Sequence, residues 1–220
     1  MRNIHTISLV VVFILLLAMG AAWVIKKAEQ ANHLLPPVIR SLPYFQFNTH
    51  DGESFTVNDL KDKITVLDFM FTSCTGPCPI MASNMRDLYN KYSSIPDVQF
   101  VSVTVDPDTD TEDVLSSYAF ANGVNDERWK FIRSDIGSIK ELSRDGFMLF
   151  SDDLPVGHSV KFVLIDSKGQ IRKYYDGTDE ASMAILRMHL NLFLKTLHSY
   201  CQFRCKCCRS VEWSYSNAWL

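Results

Sequence analysis

Apolar positions along this chain follow two rhythms. Near-continuous apolar, β-branched and aromatic runs at 64–71 (Ile-Thr-Val-Leu-Asp-Phe-Met-Phe) and 98–105 (Val-Gln-Phe-Val-Ser-Val-Thr-Val) predict two buried strands. After Pro79, the residues Met81, Met85, Leu88, Tyr89 and Tyr92 recur at helical spacing, and 112–121, 136–144 and 181–197 also read as helices. Leu186, Leu190, Phe193, Leu194 and Leu197 form one stripe on the last of these. A short strand is expected at 129–132. Hairpins are expected where 44–47 and 54–57 flank Asp51-Gly52, and where 160–165 and 171–175 flank Asp166-Ser167-Lys168-Gly169. Strand, helix, strand, helix, then hairpin and helix predicts an α/β sandwich with a mixed sheet.

Between the first buried strand and its helix lies Cys74-Thr75-Gly76-Pro77-Cys78-Pro79. Both cysteines are expected in the turn, with Pro79 suited to a first helical turn. The free N–H groups and positive dipole end of the helix would favour thiolate over thiol there. The motif therefore predicts thiolate chemistry rather than packing. Its bland alternative is a structural disulfide or two buried thiols.

At 220 residues, the chain has room for one domain and appendages, and 47% hydrophobic content is enough for a core. A net charge of −3 without a basic stripe excludes nucleic-acid binding. Residues 7–25 carry no charge, and about 19 residues at ~1.5 Å each would span the ~30 Å of a bilayer core. Trp23 and Lys26-Lys27 would sit at an interface, so residues 1–27 are expected to form a membrane anchor with the body exported. A cleaved signal peptide is the rival, because Ala18, Gly20 and Ala22 offer a processing site. Residues 28–41, with Pro36-Pro37, read as a stiff tether, 42–198 as the folded domain and 199–220 as a Cys-rich tail. An exported body meets an oxidising compartment, where Cys74 and Cys78 need a reductant or a metal to escape disulfide formation.

The strand, cysteine turn and helix, followed by a hairpin and terminal helix, resemble the thioredoxin fold. The sequence resembles one branch of it, the SCO/SenC copper-binding proteins of cytochrome oxidase assembly. The matching residues are Asp68 to Cys74, then Cys78-Pro79, Met85 to Leu88, Val103 to Asp108 with Asp110-Thr111, and His158-Ser159 followed by Leu164-Ile165-Asp166 and Gly169. The resemblance implies a thioredoxin-like domain behind one N-terminal transmembrane helix, on the periplasmic face of a bacterial inner membrane. It assigns copper to Cys74, Cys78 and His158, with thiolates selecting Cu(I) and imidazole serving both Cu(I) and Cu(II). It implies delivery to the CuA-type site on the copper-bearing subunit of cytochrome c oxidase, with other copper chaperones or thiol reductants as further partners. Such a protein need not be an enzyme. The family often carries an acidic residue before the histidine, where this chain has Gly157.

Other candidates have plainer explanations. Met81 and Met85 could be thioether ligands, but their spacing predicts core. Asp106, Asp108 and Asp110 could suggest a hard-metal loop; turn formation and a cap for the helix at Glu112 are the simpler expectation. His33 and His50 are expected to face solvent. On a continued closing helix, His198, Cys201, Cys205 and Cys208 would share a face and could bind a second soft metal; an appendage with incidental cysteines is the alternative. A thiol–disulfide oxidoreductase using Cys74 and Cys78 is the competing function. The three-residue spacer suits two ligands on one metal better than the Cys-x-x-Cys of reductases. A peroxidase turn at Thr72 and Cys74 fits poorly with the second cysteine.

Overall fold

The computed structural model describes residues 13–23, 35–149, 154–155 and 159–204, with side chains of the last helix described to 197. The chain divides into two units at Pro36–Pro37. In the first, residues 13–23 form a helix (α1) whose side chains are exposed. Among the described residues no helix is long and apolar enough to cross a membrane. The structure thus does not support the expected transmembrane helix at 7–25; residues 7–12 and 24–25 of that span lie outside the described residues.

The second unit carries an eight-stranded mixed sheet in the order β1-β8-β7-β4-β5-β6-β2-β3. The strands are β1 (Arg40–Ser41), β2 (Gln46–Thr49), β3 (Ser54–Thr56), β4 (Ile64–Met70), β5 (Val98–Thr104), β6 (Trp129–Arg133), β7 (Lys161–Ile165) and β8 (Gln170–Asp176). β4, β5 and β6 run parallel, and their crossovers are α2 (Cys78–Lys91) and α3 (Glu112–Ala121). Parallel neighbours need such crossovers, whereas the antiparallel pair β7–β8 closes through a tight turn. In that turn Gly169 takes a positive φ of 72°, which L side chains rarely adopt. A further helix, α4 (Ile136–Glu141), ends in a π-helical turn at Leu142–Gly146, and α5 (Glu180–Arg204) closes the chain.

Every residue of β4 and β5 is buried, as their near-continuous apolar runs predicted. Side-chain alternation sorts them onto two faces. Leu67 and Phe69 of β4, with Val101, Val103 and Val105, join a cluster that includes Phe45, Phe47, Phe55, Ile139 and Phe147. Asp68 and Met70 point the other way, as does Ser102, toward Cys78 and Ala82 of α2 and Tyr118 of α3. Met81 and Met85 of α2 are buried at 1% and 0% exposure, so they pack as core.

Four differences from the sequence expectation have physical reasons. The helix starts at Cys78 rather than after Pro79, because Pro77 and Pro79 both tolerate a first turn that needs no N–H donor. Asp110 does not cap α3; Thr111 does, its hydroxyl accepting from Val114 N. His50 is not a free hairpin residue: it is half-buried against Phe131, its Nδ1 accepting from Phe131 N and its carbonyl from the Ser116 hydroxyl. Two residues of the 28–41 stretch, Arg40–Ser41, pair with Gln170 and Ile171 as β1.

Candidate metal centre

The two sulfurs come together where the sheet ends and α2 begins. The β4–β5 ladder stops at Met70, whose carbonyl accepts from Val105 N at 2.8 Å. The chain then turns, with Cys74 N donating to Phe71 O at 3.3 Å, and enters α2 at Cys78. Cys74 is partly exposed and Cys78 is buried at 3% exposure; neither is in a disulfide. A Cβ at Gly76 would stand 3.9 Å from Cys74 Sγ, an ordinary contact distance, so the turn has room for a side chain there.

The thiols differ in acidity. Burial raises Cys74, but hydrogen bonds from the Cys78 thiol and from the backbone N–H groups of Cys78 and Gly76 outweigh it and hold Cys74 below the usual thiol value. Burial pushes Cys78 up to about 12, with the Cys74 and Asp68 charges adding to the rise. The helix N-terminus therefore does not make both groups thiolates, as the motif alone suggested. It favours the exposed one, and desolvation governs the buried one.

Behind Cys78 lies a cavity of about 10 Å³ lined by Asp68, Met70, Cys78, Ala82, Ser102, Tyr118, Trp129 and Phe131. Asp68 is 3% exposed, and its Oδ1 has no hydrogen-bond partner among the described residues. Burial raises its carboxyl to about 7, against the opposing pull of the Ser102 hydroxyl. Ser102 Oγ in turn accepts from Trp129 Nε1 at 3.1 Å.

A second carboxylate holds the start of the turn. Asp110 is fully buried. Its oxygens accept from Thr72 N at 3.3 and 3.2 Å, from the Thr72 hydroxyl and from the Thr104 hydroxyl. Nothing local in the sequence announces a contact across 38 residues.

The structure thus brings Cys74 and Cys78 together, while His158 and its neighbour Gly157 lie outside the described residues, as do His33, Cys205 and Cys208; of His198 and Cys201 only the backbone, within α5, is described. The described chain resumes at Ser159, and Val160 O accepts from Gly177 N at 3.1 Å. Gly177 O accepts from Asn84 Nδ2 of α2 at 2.8 Å, so the root of the histidine segment is bonded through Gly177 to the cysteine helix. Among the described residues no three His, Cys, Asp or Glu side chains cluster as a metal site.

Comparison with known proteins gives one consistent result. The SCO1/SenC family model matches residues 39–190. A protein of Stutzerimonas stutzeri, described as a candidate copper-binding protein, is 29% identical over 66% of this chain and 73% of its own. The crystal structure of a SCO1/SenC family lipoprotein from Bacillus anthracis superposes with a TM-score of 0.63 at 34% identity, covering 70% of this chain and 95% of that one. BsSco, described as having a disulfide switch and as a member of the Sco family of cytochrome c oxidase assembly proteins, gives a TM-score of 0.62. It is 25% identical over 73% of this chain and 98% of its own.

Proposed function

The chain belongs to the SCO1/SenC family, and from that premise we propose that it is a copper metallochaperone, gripping its cargo through Cys74, Cys78 and His158. The recipient is the CuA-type site of a terminal cytochrome c oxidase. Copper as the cargo is supported by the description of the Stutzerimonas stutzeri relative, and oxidase assembly by that of BsSco. The observation that carries the proposal is the pair of reduced cysteines on one strand-to-helix turn, one partly exposed and one buried. Soft thiolates select Cu(I), and two of them with one imidazole leave room for an incoming ligand.

The unequal thiols suggest an order of events. Metal binding displaces thiol protons, and Cys74, held low by its hydrogen bonds, gives up its proton first. Cys78 then closes on the ion from the buried side. In transfer, a recipient ligand would displace the exposed Cys74 first, and Cys78 would let go last. Membrane attachment through residues 1–27, with the stretch before β1 as tether and the domain from β1 onward exported to the periplasmic side, suits delivery to an oxidase. The lipoprotein nature of the Bacillus anthracis relative supports attachment.

The same asymmetry favours a second reading, a thiol–disulfide oxidoreductase. Cys74 thiolate would attack a partner disulfide, releasing one partner thiolate and forming a mixed disulfide. Cys78 would then displace the second partner thiolate, leaving the partner reduced by two electrons and Cys74–Cys78 oxidised. Anaerobic titration of the reduced full chain with Cu(I) tests the leading reading. One tightly held ion per chain is expected, lost in Cys74→Ser and Cys78→Ser. In His158→Ala it should be held at least about tenfold more weakly, while the disulfide still forms. Normal copper retention by His158→Ala would rule out the three-ligand site.

A further inference from the structure

The cysteine turn has two anchored ends, and only one belongs to the helix. Cys78 is fixed by α2, whereas β4 hands the chain over at Met70, the last residue bonded to β5. Two residues farther on, Thr72 is tied again, by Asp110. The carboxylate accepts from the Thr72 N–H and hydroxyl on one side and from the Thr104 hydroxyl on the other. Thr104 is the last residue of β5, and its hydroxyl also accepts from Asp106 N at 3.1 Å. Asp110 N donates to Asp106 O at 2.9 Å, so the carboxylate sits on a closed turn. Asp110 therefore adds one side-chain rung to the ladder beyond the point where the backbones part. It fixes the chain again at Thr72, between the end of the ladder at Met70 and the first cysteine.

We infer that Asp110 is a positioning residue that sets the separation of the Cys74 and Cys78 sulfurs for a shared metal ion rather than for a bond to each other. The inference rests on the copper reading and extends it to the loop that bears the ligands. The two uses of the pair require different geometry. A disulfide needs the sulfurs at ~2.05 Å, whereas two ligands on one ion stand apart by the span of two metal–sulfur bonds, each ~2.3 Å for a comparable ion. A turn pinned at both ends fits one separation and resists the other. A carboxylate suits the task because its bonds to N–H and hydroxyl donors are charge-assisted, and full burial keeps water from competing.

The test uses the full-length reduced protein, with two readouts for each variant. Cu(I) affinity is measured by competition with a chromophoric chelator, and the Cys74–Cys78 disulfide is measured at equilibrium in glutathione buffers. Asp110→Ala should weaken Cu(I) binding about tenfold, equivalent to ~1.4 kcal/mol, while forming the disulfide at least as readily as wild type. Asp110→Asn and Thr72→Val, which each keep part of the rung, should fall between. If Asp110→Ala does not fold, Thr72→Val carries the test at a single hydrogen bond. The control is Asp166→Asn. Asp166 is another buried carboxylate, paired with Arg172 at 2.8 Å, at the end of β4 remote from Met70, since Ile165 pairs with Thr65. It should change neither readout. Unchanged Cu(I) binding in Asp110→Ala and Thr72→Val would overturn the inference. So would parallel loss of metal and disulfide, or an equal copper defect in Asp166→Asn. A wild-type chain that held Cu(I) no better than Cys74→Ser would instead refute the copper reading itself.

Discussion

Replacing Asp68 by Asn should stabilise the metal-free protein, by an amount that grows with pH. The carboxyl lies beneath Cys78 at 3% exposure, with one oxygen lacking a hydrogen-bond partner among the described residues, and burial raises it from 3.8 to about 7. A folded-state value above the unfolded one means that the native protein keeps a proton the unfolded chain has released. Stability is therefore unaffected below the unfolded value, falls as pH rises toward 7, and levels off above it. A gap of roughly three pH units at ~1.36 kcal/mol each sets the full penalty at about 4 kcal/mol. Some ionisation of the unfolded carboxyl has already occurred by pH 4.5. Between pH 4.5 and 8 wild type should therefore lose about 3 kcal/mol relative to Asp68→Asn. Asn keeps the size of the group and can still accept from Ser102, so packing is held nearly constant. Urea unfolding of both proteins, reduced and with chelator, across that pH range gives the difference directly, because other titrating groups are common to both. A flat difference, or wild type gaining on the variant as pH rises, would show that Asp68 is not a desolvated carboxyl.

Further expectations follow from the same geometry. Iodoacetamide at pH 7 should label Cys74 well before Cys78, since hydrogen bonds lower one thiol and burial raises the other; peptide mapping that finds Cys78 labelled first would contradict the assigned asymmetry. Met85→Leu should bind Cu(I) as wild type does, whereas Met85→Ala should cost about 2–5 kcal/mol in urea unfolding, as expected of a fully buried side chain rather than a ligand. Removing residues from Ser199 onward should leave one copper per chain by metal analysis, and a halved copper content would instead assign a site to the tail cysteines.

The elements legible in the sequence were those whose burial is written locally. β4 and β5 announce themselves because both faces of each are covered, so apolar, β-branched and aromatic residues dominate their runs. The span of α3 matched its expectation to the residue because Thr111 caps it. Cysteine spacing gave the turn, but not the difference between its thiols, which depends on how deeply α2 seats Cys78 against β4. Asp68 lies inside an apolar run, and a single letter does not reveal which face of a strand it takes. Asp110 looked like a turn-former or helix cap; its bonds run to Thr72, which only the juxtaposed ends of β4 and β5 bring within reach.

The shape of the sheet's margins has a practical consequence for handling this protein. Its outermost strands are β1 and β3, of two and three residues. Such short borders present few unpaired amides and carbonyls to a foreign chain, so stacking of one molecule onto another by strand addition finds little to nucleate on. Concentrated samples should therefore resist fibril-like polymerisation.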